Sequence, residues 1–407
     1  MFERVSDHLE KKSKFTPRQR LWYIRAKETI LSTGSIERPI VFGNNDTPGI
    51  FLSAAAKEYM KVYGVLVGKK PLIFTNNDSA YETALEFKKN NVEPIILDTR
   101  EEHSSELIDE AKSKGIDIRF SHGVIVANGY KKVKSAKIGK LNKDKNSFEK
   151  IETVDCDCIC VSGFWTPSVH LASQSGNKLK YEEKIDAFIP DKKKQHETSV
   201  GAANGSFTLE ESLKNGFENG SNLSAKITDT KTEIAIPNVN EKKYGAHDKF
   251  WCMPLPKNEN PKRFVDFQND VSVSDIEIAL REGYRSIEHV KRYTTLGMAT
   301  DQGRTSNLNG LQLVSNIENK IVPEVGHTTF RPPFTPITIG TIVGREVGME
   351  YMPTRKTPMH EWHEKNNAVF VDAGAWKRPR YYKQGSETLF EASKTVSYTH
   401  LTLPTSR

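Results

Sequence analysis

The chain is poor in cysteine, and this excludes the folds that disulfides hold together. It has four cysteines among 407 residues. Cys156, Cys158 and Cys160 alternate within one segment and Cys252 is isolated, so neither a disulfide framework nor the Cys-x-x-Cys spacing of a zinc site is present. Alternate positions of a strand point to one face, so we expect the first three to be small apolar side chains on one buried face.

The chain also lacks a long apolar run and an aromatic–basic pattern. No run approaches the ~20 residues needed to cross a bilayer, and no signal peptide is recognisable, so we expect a cytoplasmic protein with no membrane contact. Aromatic residues make up 9% of the chain, and no segment interleaves them with Lys and Arg, which argues against a nucleic-acid partner. The formal charge of +7 still suits anionic ligands such as nucleotides or folates.

Strands and helices alternate over the first half of the chain. A buried strand at 71–75 leads into a polar turn and a helix, and the next strand ends at Asp98. This order predicts an α/β fold with a Rossmann-like core of the kind found in two-dinucleotide-binding flavoproteins. We expect further strands at 21–42, near 117–127, near 131–138 and at 157–163, and further helices at 49–63, near 104–115 and within 201–221.

The turn after the strand at 71–75 is a candidate phosphate site, because backbone amides at a helix N-terminus favour anions. An acid about 20 residues further on can bind ribose hydroxyls. The turn reads TNNDSA rather than Gly-x-Gly-x-x-Gly, and Asp78 would repel a pyrophosphate unless it caps the helix. Two alternatives stay open for the strand–turn–helix–strand unit at 71–98. Either it serves the architecture of the fold alone, or it binds a dinucleotide through Asn76, Asn77, Ser79 and Asp98.

Two glycine turns match the layout of two-dinucleotide flavoproteins. Thr33 and Gly34 end an early strand, and a later turn opens a helix whose N-terminus would lie beside a pyrophosphate. The alternative is that Ser206 and Thr208 only cap that helix. The candidate residues of the later turn are Gly201, Ala202, Ala203, Asn204, Gly205, Phe207, Thr208 and Leu209.

Residues 264–307 have the spacing of a small two-iron, two-sulfur domain without its cysteines. The four ligand positions hold Asp266, Gln268, Asp301 and Ser306, none of which supplies a thiolate. A predicted pair of helices lies between the first two and the last two of these positions. Its predicted core consists of Ile276, Ile278, Ala279, Ile287, Val290 and Tyr293. A dense set of phosphate-type donors around glycines follows, for which the alternative is a solvated helix end. This set consists of Lys291, Arg292, Thr294, Thr295, Gly297, Met298, Gln302, Gly303, Arg304, Thr305, Ser306 and Asn307.

Long runs of the sequence resemble the alpha subunit of heterotetrameric sarcosine oxidase. They include RAKETILSTGSIERPIVFGNNDTPG, FTNNDSAYETAL, VSGFWTPSVHLASQSGNKL, TTFRPPFTP and TPMHEWHEKNNAVF, and they cover nearly all of 1–394 in order. The resemblance implies oxidative demethylation of sarcosine to glycine, with hydrogen peroxide and, when tetrahydrofolate is present, methylenetetrahydrofolate as products. It also implies NAD on this subunit, FMN at an interface with a beta subunit that carries FAD, and gamma and delta subunits as further partners.

The resemblance assigns FMN to the donor set that begins at Lys291 and NAD to the two glycine turns. We expect no catalytic residue and no metal ligand in this chain, and we expect His289, His360 and His363 to be structural. Two alternatives stay open. One is a subunit of a related two-component amine or opine dehydrogenase, although such relatives often keep the cluster cysteines. The other is a non-catalytic scaffold subunit.

The resemblance also predicts a domain order. Members of the family begin with an NAD-binding Gly-x-Gly-x-x-Gly strand and end in a long folate-binding domain, so we expect a central fragment. We predict the remainder of a first nucleotide-binding domain at 1–68, a second Rossmann-like domain at 69–170, a return to the first at 171–225, a linker at 226–262, a helical FMN-interface module at 263–325, an extended connector at 326–356, the start of an aminomethyltransferase-like domain at 357–394 and a non-native tail at 395–407.

Overall fold

The structure is a computed structural model of the chain, and it describes residues 1–230, 235–241, 244–344 and 353–394. The chain divides into a larger unit, Ala26–Thr335, and a smaller unit that combines Met1–Arg25 with Pro336–Arg407. The tail predicted at 395–407 lies outside the described residues. The finer domain boundaries stay predictions.

The strands of the described residues are β1 (Phe2–Arg4), β2 (Gln19–Leu21), β3 (Thr29–Leu31), β4 (Ser35–Glu37), β5 (Ile50–Leu52), β6 (Pro71–Thr75), β7 (Ile95–Asp98), β8 (Asp117–Phe120), β9 (His122–Gly129), β10 (Val133–Leu141), β11 (Phe148–Asp155), β12 (Cys158–Ser162), β13 (Trp165–Pro167), β14 (Leu179–Glu182), β15 (Ala187–Pro190), β16 (Glu197–Ser199), β17 (Phe264–Asp266), β18 (Val271–Ser272), β19 (Arg355–Lys356), β20 (Ala368–Ala373) and β21 (Trp376–Tyr382). The α-helices are α1 (Ser53–Tyr63), α2 (Tyr81–Lys89), α3 (Glu106–Ser113), α4 (His170–Gln174), α5 (Leu209–Thr228), α6 (Val273–Arg281), α7 (Ile287–Thr294), α8 (Asn307–Glu318), α9 (Val322–Val325), α10 (Ile339–Val343) and α11 (His360–Lys365), and short 3-10 helices lie at Asp78–Ala80 and Gly201–Asn204.

A parallel sheet forms the centre of the larger unit. Its five strands lie in the order β5-β12-β6-β7-β8, and every neighbouring pair is parallel. Strands β6 and β12 are buried at every position, which is why they read as short continuous apolar runs. One hydrophobic cluster joins α1, α2 and α3 to this sheet. The predicted α/β class is therefore confirmed.

A second layer packs against the sheet through the antiparallel strands β11-β10-β9. The sequence did not predict strand β11. Its residues are mostly exposed and polar, so they lack the apolar alternation that indicates a strand. Cys156 lies between β11 and β12 and packs in this layer, whereas Cys158 and Cys160 belong to the cluster of α1 to α3. The prediction that all three thiols share one strand face is wrong for Cys156. All four cysteines are free.

The segment predicted as a linker, 226–262, contributes buried side chains to the larger unit. Helix α5 continues to Thr228, and Phe250, Trp251 and Met253 are buried in two hydrophobic clusters. An isolated bridge pairs Cys252 with Val41. Burying these large apolar groups fixes the end of this segment against the larger unit.

The helices α6, α7 and α8 build a third cluster around the predicted core of this module. Ser272 and Asp275 form a capping box that starts α6. Of the predicted core residues, Ile276, Ala279, Ile287 and Val290 are buried and Ile278 is half-buried. The prediction is wrong for Tyr293, which is 47% exposed and lies against the ring of Tyr284 at 4.7 Å.

The smaller unit contains the hairpin-like pair β1-β2 and the sheet β19-β21-β20. His360 is buried, with its Nε2 3.1 Å from a carboxylate oxygen of Glu364, and His363 Nδ1 lies 2.6 Å from the hydroxyl of Tyr382. Across the described ranges, no helix combines the length and the apolar composition that a bilayer crossing requires.

We predict that Ile276→Ala lowers the free energy of unfolding of the larger unit by about 2–5 kcal/mol, because it leaves a cavity in a closed core. Urea unfolding followed by tryptophan fluorescence measures this loss. Ile278→Ala, two positions along the same helix, is the matched control and should cost less than half as much. Equal losses of unfolding free energy in the two variants would contradict the assignment of Ile276 to the buried face of α6.

Candidate functional site

A cavity of about 500 Å³ in the larger unit joins segments that the sequence analysis singled out separately. Its lining includes Ser35, which follows Gly34, and both Asn77 and Ser79 of the turn after β6. Gly205, Phe207 and Thr208 of the later glycine turn lie on it as well. Three segments that contain or adjoin predicted nucleotide-binding residues therefore border one cavity. The predicted residues outside its lining are Thr33, Gly34, Asn76, Asp98, Leu209 and those of Gly201–Asn204.

The early glycine turn is fixed by the loop after β13. The hydroxyl of Thr33 donates to the carbonyl of Ser168 at 2.7 Å, and the amide of Ser168 donates to the carbonyl of Gly34 at 2.9 Å. Gly34 has a φ of +70°, which glycine adopts without strain. Gly34 itself is outside the cavity lining, which includes the next residue, Ser35.

The later glycine turn leads into the N-terminus of α5. Gly201, Ala202, Ala203 and Asn204 form a 3-10 turn, and Gly205 follows with a φ of +88°. The hydroxyl of Thr208 accepts from the amide of Glu211 at 3.2 Å, so Thr208 is a helix cap, as the alternative interpretation expected.

The exposed amides at the start of α5 bind a carboxylate of the chain itself. The amides of Leu209 and Glu210 donate to Oε2 of Glu241 at 2.6 and 3.2 Å. A helix N-terminus favours negative charge because its first amides have no intrahelical partner. The carboxylate of Glu241 stands where a phosphate oxygen would make the same contacts.

An aromatic pair forms another wall of the cavity, and the sequence analysis missed it. The rings of Phe164 and His247 stack with centroids 4.0 Å apart and planes 5° from parallel. Phe207 meets Phe164 edge-on at 5.2 Å. Burial, together with the charge of Arg38, lowers the pKa of His247 to about 4, so its ring is neutral at pH 7. No local sequence signal joins residues so distant in the chain.

The turn after β6 is held by hydrogen bonds within the protein. Oδ1 of Asn77 accepts from the amide and the hydroxyl of Ser79 at 3.0 and 2.6 Å, which caps the short helix that follows. The side-chain amide of Asn76 donates to the carbonyl of Asp248 at 2.7 Å. Asp98 is fully buried and accepts from the hydroxyl of Tyr81 at 2.8 Å. Asp98 therefore makes internal contacts in the place where a ribose was expected.

Residues 264–307, here called the cysteine-free loop, hold polar residues at the four positions where an iron–sulfur domain has cysteines. Hydrogen bonds bring these four positions together. Asp266 accepts from the amides of Gly297 and Gln268 at 2.7 and 3.0 Å and from the hydroxyl of Ser306 at 3.3 Å. The side-chain carbonyl of Gln268 accepts from the amide of Asp301 at 2.7 Å. Burial and the nearby charge of Asp266 raise the pKa of Asp301.

No group of three His, Cys, Asp or Glu side chains that could hold a metal ion occurs within the described ranges. The hydrogen bonds to the carboxylate of Asp266 are the contacts that close the loop.

Most donors of the predicted set that begins at Lys291, in α7 and the turn after it, contact neighbouring parts of the chain. Those that bond to residues 327–334 are Lys291 (to the carbonyl of Thr329, 3.3 Å), Gln302 (to the carbonyl of Pro333, 2.8 Å), Arg304 (to the carbonyl of Phe334) and Asn307 (to the hydroxyl of Thr328, 2.7 Å). The hydroxyls of Thr294 and Thr295 donate to the carbonyls of Val290 and Thr294, Arg292 pairs with Glu288 at 3.7 Å, and Met298 is exposed.

Three members of this set keep unused or accessible polar groups, and one of them is Asn307, whose Oδ1 is buried without a hydrogen-bond partner. The Nε of Arg304 is buried without a hydrogen-bond partner, and its guanidinium lies 4.1 Å from the centre of the Phe334 ring. Thr305 lines a second cavity of about 300 Å³ with Phe267. Gly303 has a φ of +72°, and a Cβ there would come within 2.5 Å of the Asn307 side chain, so this turn requires glycine.

We predict that Asp266→Ala lowers the free energy of unfolding of the larger unit by about 3 kcal/mol. The buried amides that Asp266 accepts lose their partner, and an unsatisfied buried donor costs roughly 1–3 kcal/mol. Urea unfolding measures the loss. Glu277→Ala on α6 is the control, because its ion pair with Arg263 is long and exposed. A loss no larger than that of the control would contradict this role of Asp266.

Known proteins resemble this chain along nearly all of its length. Residues 260–345 match the family model described as the sarcosine oxidase A3 domain. The sarcosine oxidase subunit alpha of Rhizobium meliloti is 34% identical over 96% of the chain and 38% of its own length. That of Corynebacterium sp. strain P-1 is 34% identical over 91% of the chain and 39% of its own length.

Among solved structures, an L-proline dehydrogenase from P. horikoshii covers 78% of the chain and 58% of its own chain, with 21% identity and a TM-score of 0.48. The resemblance inferred from the sequence is confirmed: the chain is similar to the sarcosine oxidase alpha subunit of R. meliloti over 96% of its own residues, and it spans 38% of the length of that subunit.

Proposed function

We propose that the chain acts in a sarcosine oxidase complex as the alpha-type subunit that binds NAD and contributes to an FMN site. The observation that carries this proposal is that three segments that contain or adjoin predicted nucleotide-binding residues border one cavity, in a chain similar to these subunits. The complex would convert sarcosine to glycine and hydrogen peroxide, with methylenetetrahydrofolate formed when tetrahydrofolate is present.

The residues around the cavity fit a dinucleotide. Ligand sites commonly have volumes of roughly 300–1,000 Å³, and the cavity measures about 500 Å³. The amides of Leu209 and Glu210 would hold a phosphate in place of the Glu241 carboxylate. The stacked rings of Phe164 and His247 offer a flat, neutral face to a nicotinamide or an adenine.

The FMN site is proposed at the turn that contains Arg304 and Thr305. The unpartnered Nε of Arg304 is a donor suited to a phosphate oxygen, and Thr305 borders the cavity of about 300 Å³. Lys291, Gln302 and Asn307 would shape this turn through residues 327–334. When bound, FMN would pass electrons from the FAD of a beta subunit to oxygen.

The remaining parts of the proposed complex come from its relatives rather than from side chains of this chain. A beta subunit would carry FAD and the amine-oxidising centre, and gamma and delta subunits would complete the assembly. This chain is proposed to position cofactors and to supply no general base for the amine. A cytoplasmic location stays a prediction.

We predict that Glu241→Gln tightens NAD binding several-fold, because the variant no longer places a negative charge on the amides that a pyrophosphate needs. Isothermal titration calorimetry with NAD measures the dissociation constant. Glu218→Gln removes an exposed charge from the middle of α5, the helix whose first amides bond to Glu241, and should leave the affinity unchanged. Equal or weaker binding by the Glu241 variant would place the pyrophosphate elsewhere.

We predict that Arg304→Ala lowers the FMN content of the chain co-purified with a beta-type subunit by about tenfold, since a charged hydrogen bond to phosphate is lost. Flavin released by denaturation and separated by chromatography gives the content. Arg285→Ala, which removes an exposed partner of Glu318, is the control. Unchanged FMN in the Arg304 variant would move the phosphate site, and a wild-type complex without FMN would favour the scaffold function.

A further inference from the structure

The chain itself covers the edge of the parallel sheet at which nucleotides commonly bind. In open α/β sheets, ligands occupy the crevice outside the carboxyl ends of the strands. Residues 244–250, here called the covering segment, lie across the ends of β6 and β7. The amide of Asp248 donates to the carbonyl of Asn76 at 2.9 Å, and the hydroxyl of Thr99 lies 3.3 Å from Oδ2 of Asp248.

One buried arginine binds the covering segment to the sheet. Nη1 of Arg100 donates to the carbonyl of Ala246 at 2.9 Å and lies 2.8 Å from Oδ1 of Asp78. Nη2 and Nε of the same guanidinium donate to Asp98 at 2.6 and 2.9 Å. The other oxygen of Asp78 accepts from the amide of Gly245 at 2.7 Å. Arg100 therefore bonds directly to Ala246 and, through its ion pair with Asp78, holds the carboxylate that accepts from Gly245.

The charges of this cluster leave little freedom of movement. Arg100, Asp78 and Asp98 are 7%, 1% and 0% exposed. Burial alone would raise the pKa of Asp78, yet Arg100 and the amide of Gly245 hold that pKa below its ordinary value. A buried carboxylate without its cation is strongly unfavourable, so the three side chains stay in contact.

The other side of the covering segment is a wall of the nucleotide cavity. Tyr244, Gly245, Ala246 and His247 all line it. The hydroxyl of Tyr244 donates to Glu82 on α2 at 2.8 Å, which fixes the first residue of this wall. His247 carries the ring that stacks on Phe164. The position of the aromatic wall therefore depends on the contacts that Arg100 makes behind it.

We propose that Arg100 is a positioning residue that holds the covering segment in place, closes the carboxyl edge of β6 and β7 to a second nucleotide and leaves one dinucleotide position per chain. The identity of the ligand in the remaining position rests on the proposed function. In this arrangement Asp98 fixes Arg100 instead of binding a ribose, which explains why an acid ends β7 although the glycine motif is missing.

The test uses the full chain with Arg100→Gln and Arg100→Lys, and Arg119→Gln as the control. Arg119 lies on β8 of the same parallel sheet and pairs at 2.9 Å with Asp117 of that strand and with Glu152 of β11. Hydrogen exchange of the amides of 244–250 and calorimetric titration with NAD are the two readouts. We expect at least tenfold faster exchange and about tenfold weaker NAD binding in Arg100→Gln, partial recovery in Arg100→Lys, and no change in the control.

The outcomes separate this proposal from the NAD assignment. Wild-type binding of two NAD molecules per chain, or rapid exchange of 244–250 in the wild type, would overturn the closure. Faster exchange without weaker NAD binding would overturn the positioning role. If the wild type binds no NAD, the proposed function fails, while the exchange of the Arg100 variants still decides whether the segment is held. If Arg100→Gln does not fold, the exchange and NAD affinity of Arg100→Lys decide between these outcomes, because lysine keeps the compensating charge.

Discussion

A buried arginine between two carboxylates is the constraint on which the candidate site depends. Arg100 contacts both Asp78, in the short helix that follows β6, and Asp98, at the end of the adjacent parallel strand β7. Buried charges must stay paired, so these side chains cannot separate without a large cost in free energy. The backbone at Gly245 and Ala246 bonds to the same groups. A stretch with no regular secondary structure thereby gains a fixed position and becomes a wall of the cavity.

The cysteine-free loop uses a carboxylate in a related way. In an iron–sulfur domain, thiolates gather the loop around a cluster. Here Asp266 accepts backbone amides from both ends of the loop, at Gln268 and Gly297, and so satisfies donors that would otherwise be buried without a partner. Gly297, whose amide bonds to Asp266, has a positive φ of +65° that glycine adopts without strain. The scaffold therefore keeps a closed loop although the thiolates are absent.

Much of the fold could be predicted from local patterns. Strand β6 and helices α2 and α3 lie close to their predicted places, because apolar periodicity and capping residues are read from near neighbours. The covering segment and strand β11 could not be predicted in this way. The first has no periodicity, and the second is mostly polar because one of its faces is exposed. The pairing of Phe164 with His247 has no local signal at all.

The sequence by itself determined the α/β class, the positions of the glycine turns and the replacement of cluster cysteines by polar residues. These features depend on residue types, on their spacing and on conformations that only certain residues adopt. The tertiary structure decided which of the predicted residues face the cavity. It directed Asp98 to Arg100, brought the carboxylate of Glu241 to the start of α5, and placed residues 244–247 in the wall of the cavity. Such pairings join residues far apart in the chain, so they form only when the cores have packed.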